Sequence, residues 1–393
     1  MNSSAPPLPK IAPLDFAFRS GVQEKLRGAI VAHGLDGALF LSPANVLYTC
    51  GFNFSVNERP VGLFVPAVGK PVLFVPLLEL ENAEPVEGVV IKIYDEFPGH
   101  EHPVLWMARE SLAKKLAVDG LDARLLAPLE AMLDKVVLED LVAPARFIKC
   151  EAEFALTRVA ASYADLCLQR LLDEGGNIIA QGGTELDLLA ECTSFALSAL
   201  KRDHGEAFAG TKLGISASVH SGPLAALPHG ATSRRQPLFG DTLIAGIGCS
   251  LGGYHAESGI TLIVGEMSAE QRRIMKAMED CDTATARALR PGTACEAVNE
   301  AALGALRNAG LGDAIRHRIG HGMGLEGHEA PWLAPGDTTQ VRPGMIFSSE
   351  PGVYRPGRDG YRTINTMIVH AGGVEIPSRF QADHPIDNRV IAL

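Results

Sequence analysis

Apolar side chains at Val22, Leu26, Ile30 and Val31 recur with the period of a helix that buries one stripe, and the run GALFL after them reads as a buried strand. VGLFVP and KPVLFVP, joined at Ala67–Lys70, predict two strands, and GVVIKIY a third. Residues 103–118 read as helical again. Strands alternating with helices predict an α/β first domain that ends near 145. From Glu151 the pattern becomes that of one long amphipathic helix, so the chain is divided into 1–148 and 149–393. Residues 1–13, with four prolines, read as a loose tail. In the second half Ser268–Gln271 and Thr293–Glu296 have the spacing of capping boxes, and Pro291-Gly292 separates their helices. DTLIAGIG and YHAESGITLIVG flank Leu251-Gly252-Gly253 as a hairpin, and GMIFSSE and YRTINTMIV are the last clear strands. Helices and antiparallel strands segregate here, which predicts an α+β second domain.

Composition narrows the partners. Hydrophobic residues make up 47% and charged residues 21% of 393, a globular balance. A net charge of −11 disfavours a nucleic-acid reader, which needs a basic surface. The most apolar stretch, Val61 to Leu78, is interrupted by Pro66, Lys70, Pro71 and Pro76, so no membrane span is expected. No secretory signal precedes the first domain, and the seven cysteines lack any CxxC pairing. Both features predict a soluble, cytoplasmic chain with reduced thiols.

The chemistry gathers late. Six of the twelve histidines (His220, His229, His255, His317, His321 and His328) lie between 220 and 328, densest in HRIGHGMGLEGHEAP. A single histidine is usually a satisfied structural residue. Three histidines and two glutamates in a glycine-rich segment point instead to a site, because glycine lets backbone approach and leaves the imidazoles free to face a cavity. His317 and His321 would share a face if AIRHRIGH is extended, as would His255 and Glu257. Glu350 ends a strand before Pro351-Gly352. Arg59, beside Pro60, suits a surface ion pair or a substrate carboxylate.

Taken in order, PHG (228–230), GD…G…GGY (240–254), GHGMGLEGHEAP (320–331), RPGMIFSSEPGVY (342–354) and GYRTINTMIV (360–369) resemble the signature segments of the creatinase/prolidase/aminopeptidase P, or pita-bread, superfamily. ERPVGLFVP resembles its N-terminal domain and ARFIKCEAEFALTRVA the junction, so the likeness spans nearly the whole chain. It implies a creatinase-like α/β domain followed by an α+β pita-bread domain, and a homodimer in which Arg59 reaches its own or the partner's site. In the metal-dependent members two Asp, one His and two Glu hold two divalent ions. Carried over, these positions fall on Gly246, Glu257, His321, Glu350 and Ile364, with Asn365 beside the last. Creatinase, which hydrolyses a C–N bond without metal, keeps the equivalents of His229, His321, His328 and Glu350. Its guanidinium-binding carboxylates fall on Gly259 and Thr363 and its second carboxylate-binding arginine on Trp332, so creatine is not the expected substrate.

The resulting expectation is a metal-independent hydrolase of a C–N bond in a small polar substrate or dipeptide. The catalytic set is His229, His321, His328, Glu257 and Glu350, and the substrate-binding set Arg59, His255, His317 and Trp332. No cofactor is expected. The first alternative is a mononuclear Xaa-Pro peptidase or dipeptidase holding one Zn, Mn or Fe ion on Glu257, His321 and Glu350. The second is a non-catalytic peptide- or protein-binding module.

Overall fold

The computed structural model describes residues 10–393, so the tail expected over 1–13 lies mostly outside the described residues. The chain forms two compact units, Pro13–Arg146 and Phe147–Leu393.

The first unit opens with helix α1 (Phe16–Ala32), started by Asp15, whose carboxylate accepts the Phe18 N–H at 2.9 Å. Its stripe of Val22, Leu26 and Ile30 is buried. Six strands follow: β1 (Gly37–Phe40), β2 (Gly62–Pro66), β3 (Val72–Pro76), β4 (Val90–Tyr94), β5 (Lys115–Val118) and β6 (Lys135–Leu138). Their spatial order is β4-β3-β2-β1-β5-β6, with β2 antiparallel and β5 parallel to β1. The helix expected over 103–118 is corrected. Helix α2 covers only Pro103–Glu110, and Leu112, at φ 60°, turns the chain into β5. Leu116, Ala117 and Val118 are all 0% exposed, which requires cover on both faces. A central parallel strand gives that cover, and a helix with one buried stripe does not.

In the second unit, α3 (Glu151–Ala180) and α4 (Glu185–His204) pack together, as do α5 (Ala269–Ala288) and α6 (Cys295–Asn308). Nine strands form the sheet: β7 (Gly214–Ser221), β8 (Thr242–Leu251), β9 (Tyr254–Val264), β10 (Gly320–Gly322), β11 (Glu329–Leu333), β12 (Ile346–Ser349), β15 (Ile364–His370), β16 (Gly373–Glu375) and β17 (Val390–Ile391). The hairpin of β13 (Gly352–Arg355) and β14 (Asp359–Arg362) stands beside it. The main path runs β11-β10-β12-β15-β9-β8-β7. Side-chain alternation sends Ile346 and Ile368 toward Phe154 of α3, and Phe347, Met367 and Val369 toward the α5/α6 layer. Ser348 shares the face of Ile346, and that face carries the site.

The β8–β9 turn is the expected one, with Gly252 and Gly253 at φ 62° and 89°, a conformation that glycine takes without a steric penalty. Ser268 and Gln271 exchange both bonds of their capping box. The Thr293–Glu296 box does not form: the cap is Ala294, paired with Gln340, and the Glu296 carboxylate accepts the Gly336 N–H at 3.2 Å. Main-chain partners already satisfy that helix end. YRTINTMIV is two strands rather than one, broken at Thr363 between β14 and β15. Among the described residues no helix is long and apolar enough to cross a membrane.

Candidate active site

The candidate residues lie along a register row across the sheet. His321 of β10 faces Ser348 of β12, and Ser349 of β12 faces Asn365 of β15. Ile364 of β15 then faces Gly259 of β9, which faces Gly246 of β8. Glu350 follows β12 directly. At the centre His321 Nε2 lies 2.6 Å from Glu350 Oε1 and 3.9 Å from Glu257 Oε2. The Ser348 hydroxyl donates to Glu257 Oε2 at 2.8 Å. The His328 ring stacks on His321, with centroids 3.7 Å apart and planes 21° from parallel. A cavity of about 320 Å³ opens in front, lined among others by His229, His328, Glu257, Glu350, His220 and Arg362.

His321 is held by both nitrogens, since Nδ1 meets the Gly322 carbonyl at 3.0 Å. A carbonyl only accepts, so Nδ1 carries a proton, and the short contact to Glu350 calls for a second on Nε2. Burial alone would lower the His321 pKa. The bond to Glu350 and the charges of Glu350 and Glu257 outweigh it and raise the value. Glu350 feels the reverse: burial favours its neutral form, but His321 and then Arg362 hold it down at about 2. Glu257 is pushed up to about 7 by burial and by the Glu350 charge. The site therefore holds a fixed His321–Glu350 ion pair beside a carboxyl that exchanges its proton near neutrality. Desolvation lowers His328, His317 and His255, the last to about 4.

His229, His321, His328, Glu257 and Glu350 come together. The residues expected to bind substrate do not line this cavity. His255 lies on the same face of β9 as Glu257, but its Nδ1 meets the Gly324 carbonyl at 3.2 Å. AIRHRIGH is not one strand, because β10 starts only at Gly320, and His317 turns its Nε2 to the Tyr354 hydroxyl at 2.9 Å. Trp332 is 36% exposed beneath the Arg318 guanidinium. Arg59 belongs to the Pro13–Arg146 unit, where Nε and Nη2 donate to the two Glu96 oxygens at 2.6 and 3.2 Å and Nη1 pairs with Glu58.

Sequence reasoning gave no role to three lining residues: Ser218, Arg362, and His220, which it counted only within the histidine cluster. Arg362 is 8% exposed; Nη1 donates to the Pro228 carbonyl at 2.9 Å and Nε has no partner. Between Tyr361 and Thr363 it carries no distinctive pattern in the sequence. His220 is 2% exposed with Nε2 unpartnered, and burial and the Arg362 charge lower its pKa.

The donor set does not fit a metal pair. Gly246 offers no donor, and Ile364 brings hydrocarbon to the end of the row: a Cβ on Gly259 would lie 2.7 Å from Ile364 Cδ1. Among the described residues the donors within 4.8 Å of one another are Glu257, His321 and His328; the expected set has Glu350, 2.6 Å from His321 Nε2, in place of His328. Imidazole lone pairs lie in the ring plane, so two rings stacked face to face direct them side by side rather than at one point. One ion on both histidines requires one ring to swing out of the stack.

A family model described as metallopeptidase family M24 matches residues 155–371, and one described as the creatinase/prolidase N-terminal domain matches 23–148. A probable dipeptidase PepE of Mycobacterium tuberculosis is 31% identical over 350 residues, 86% of this chain and 89% of the relative. The crystal structure of dipeptidase PepE from Mycobacterium ulcerans superposes with a TM-score of 0.82 at 26% identity, covering 97% of this chain and 100% of that one. A recombinant prolidase from Thermococcus sibiricus gives 0.79 at 25%, with 97% and 100% covered.

Proposed function

The chain belongs to metallopeptidase family M24, a family of C–N hydrolases, and from that premise we propose that it cleaves the C–N bond of a small, dipeptide-sized substrate without a metal ion. The observation that carries this reading is the donor row, in which Gly246 and Ile364 stand at two ligand positions while the His321–Glu350 pair and Glu257 remain intact. In this reading water adds to the carbonyl carbon and gives its proton to ionised Glu257. The developing oxyanion is stabilised by the His321 imidazolium and by a hydrogen bond from His328. The C–N bond breaks as His229, at the cavity rim, protonates the leaving nitrogen, and the proton on Glu257 returns to His229 through solvent. Arg59 would have to leave Glu96 before it could hold a substrate carboxylate, in a homodimer as in a monomer.

The test is metal content together with turnover. Protein purified without chelator should carry well under one equivalent of Zn, Mn or Fe, and a panel of X-Pro dipeptides, amides and amidines should contain a substrate whose hydrolysis survives EDTA. His229→Ala should lower kcat by roughly 10²–10⁴-fold. A stoichiometric ion, with activity lost on chelation and restored by metal, would instead establish a mononuclear site on Glu257, His321 and His328. That second reading is supported by the proximity of those three donors. Tight peptide binding with no turnover of any compound would point to the binding module.

A further inference from the structure

The missing ligand at position 246 leaves a space with a chemical character of its own. A Cβ built on Gly246 would lie 3.3 Å from Arg362 Nη2, 3.3 Å from Ile364 Cδ1 and 3.5 Å from Ser218 Oγ. These contacts leave little room at the Cβ position itself, but Ser218, Gly246, Arg362 and Ile364 all line the cavity, and a carboxylate entering it there would meet the Arg362 guanidinium and the Ser218 hydroxyl, both donors, with the Ile364 methyl as its apolar wall. Arg362 is itself incomplete. It is 92% buried by its 8% exposure, its Nη1 goes to a neutral carbonyl, its Nε is unpartnered, and among the described residues it makes no ion pair. The charges of Glu350 and Glu257 reach Arg362 only through space, without a direct ion pair, and a buried guanidinium normally takes a contact partner. The space opens on the cavity that also contains Glu257, Glu350 and His328.

We propose that the niche between Gly246, Ser218 and Arg362 binds a carboxylate of the ligand, which takes the place of the side chain that position 246 lacks and becomes the counter-ion of Arg362. The planar fork of arginine suits a carboxylate in two-point contact, and the serine hydroxyl supplies a third donor. The substrate class becomes that of small acids whose hydrolysable C–N bond lies within a few bonds of a carboxylate. This assignment rests on the hydrolase reading only in taking the acid to be the substrate; the niche itself needs neither turnover nor metal.

The experiment is therefore a binding measurement in the presence of EDTA. Acetate, propionate and N-acetylglycine are titrated against the full chain, read by thermal shift and calorimetry, with methylammonium as a cationic control, acetamide as an uncharged one and inorganic phosphate as a second anion. Saturable stabilisation by the carboxylates alone is expected. The affinity should fall at least tenfold in Arg362→Gln and in Gly246→Asp, where the new carboxylate fills the niche. Gly246→Asp should also melt no lower than the wild type, because it restores the counter-ion; this separates a filled niche from a misfolded chain. Carboxylate binding that is absent, that persists in both variants, that appears only after metal is added, or that is surpassed by phosphate would overturn the assignment. A metal-dependent activity found alongside metal-free carboxylate binding would sink the mechanism and leave the niche standing.

Discussion

Glu257 shows how one side chain can be set by its surroundings. A surface glutamate is ionised at pH 7, but burial and the Glu350 charge hold this one near about 7. Two consequences follow from the same shift. If ionised Glu257 accepts the proton of water, kcat rises with pH through a midpoint near about 7 before it levels off, and Glu257→Gln loses both that limb and roughly 10²–10⁴ in rate. For stability, the folded chain binds this proton more tightly than the unfolded one does. The contribution is complete below the ordinary value of 4.5 and disappears as pH rises through about 7. Glu257→Gln should therefore gain thermal stability relative to the wild type between pH 5 and 8. A constant difference across that range, in melting curves of the two proteins, would show that Glu257 does not titrate there. At this scale the sequence was most informative where residue type alone decides the chemistry: the histidines and glutamates of the site were legible as a cluster. Arg362 was not, since its importance lies in what it fails to touch, and no spacing along the chain encodes a missing partner.

Elements hold the site in place through bonds the sequence did not disclose. Glu185, at the start of α4 and 0% exposed, accepts the N–H and hydroxyl of Ser221 on one oxygen and those of Ser233 on the other, at 2.7 to 3.0 Å. It thus clamps both ends of the segment that carries His229. Glu185→Ala should cost about 2–4 kcal/mol in denaturant unfolding and speed amide exchange across 221–233. Unchanged protection there would mean that the segment is held by something else. Lys149 and Glu329, 2.7 Å apart and buried, play a similar part beside His328. Strands with clear alternation, such as β8 and β9, and helices with a full apolar stripe, such as α1 and α3, were readable. β5 was not, because its short run of buried residues carries no period of its own. Nor was the end of α6, where tertiary main-chain partners replaced the capping box.

At the scale of the whole chain the thiols offer a check on the packing. All seven cysteines are free, and only Cys150 is exposed. A thiol reagent should titrate about one group in the native protein, slowly, because burial and the neighbouring Glu153 raise the Cys150 pKa. Denaturation without reductant should release the full seven. Several fast native thiols, or fewer than seven after denaturation, would contradict the burial pattern or reveal a disulfide. The two-part architecture was legible because the change from alternating strands and helices to one long helix is abrupt at Glu151.

The neighbouring row of Gly246, Gly259 and Ile364 also bears on what the site could become. On the proposed metal-free reading, an aspartate introduced at 246 would meet Arg362 before any cation arrived, and a glutamate introduced at 364 would have no ion to share with its neighbour. Neither change alone would then reward its carrier, so a paired-cation site would need both at once. On that reading the row tolerates small refinements of ligand fit far more readily than a turn to metal chemistry.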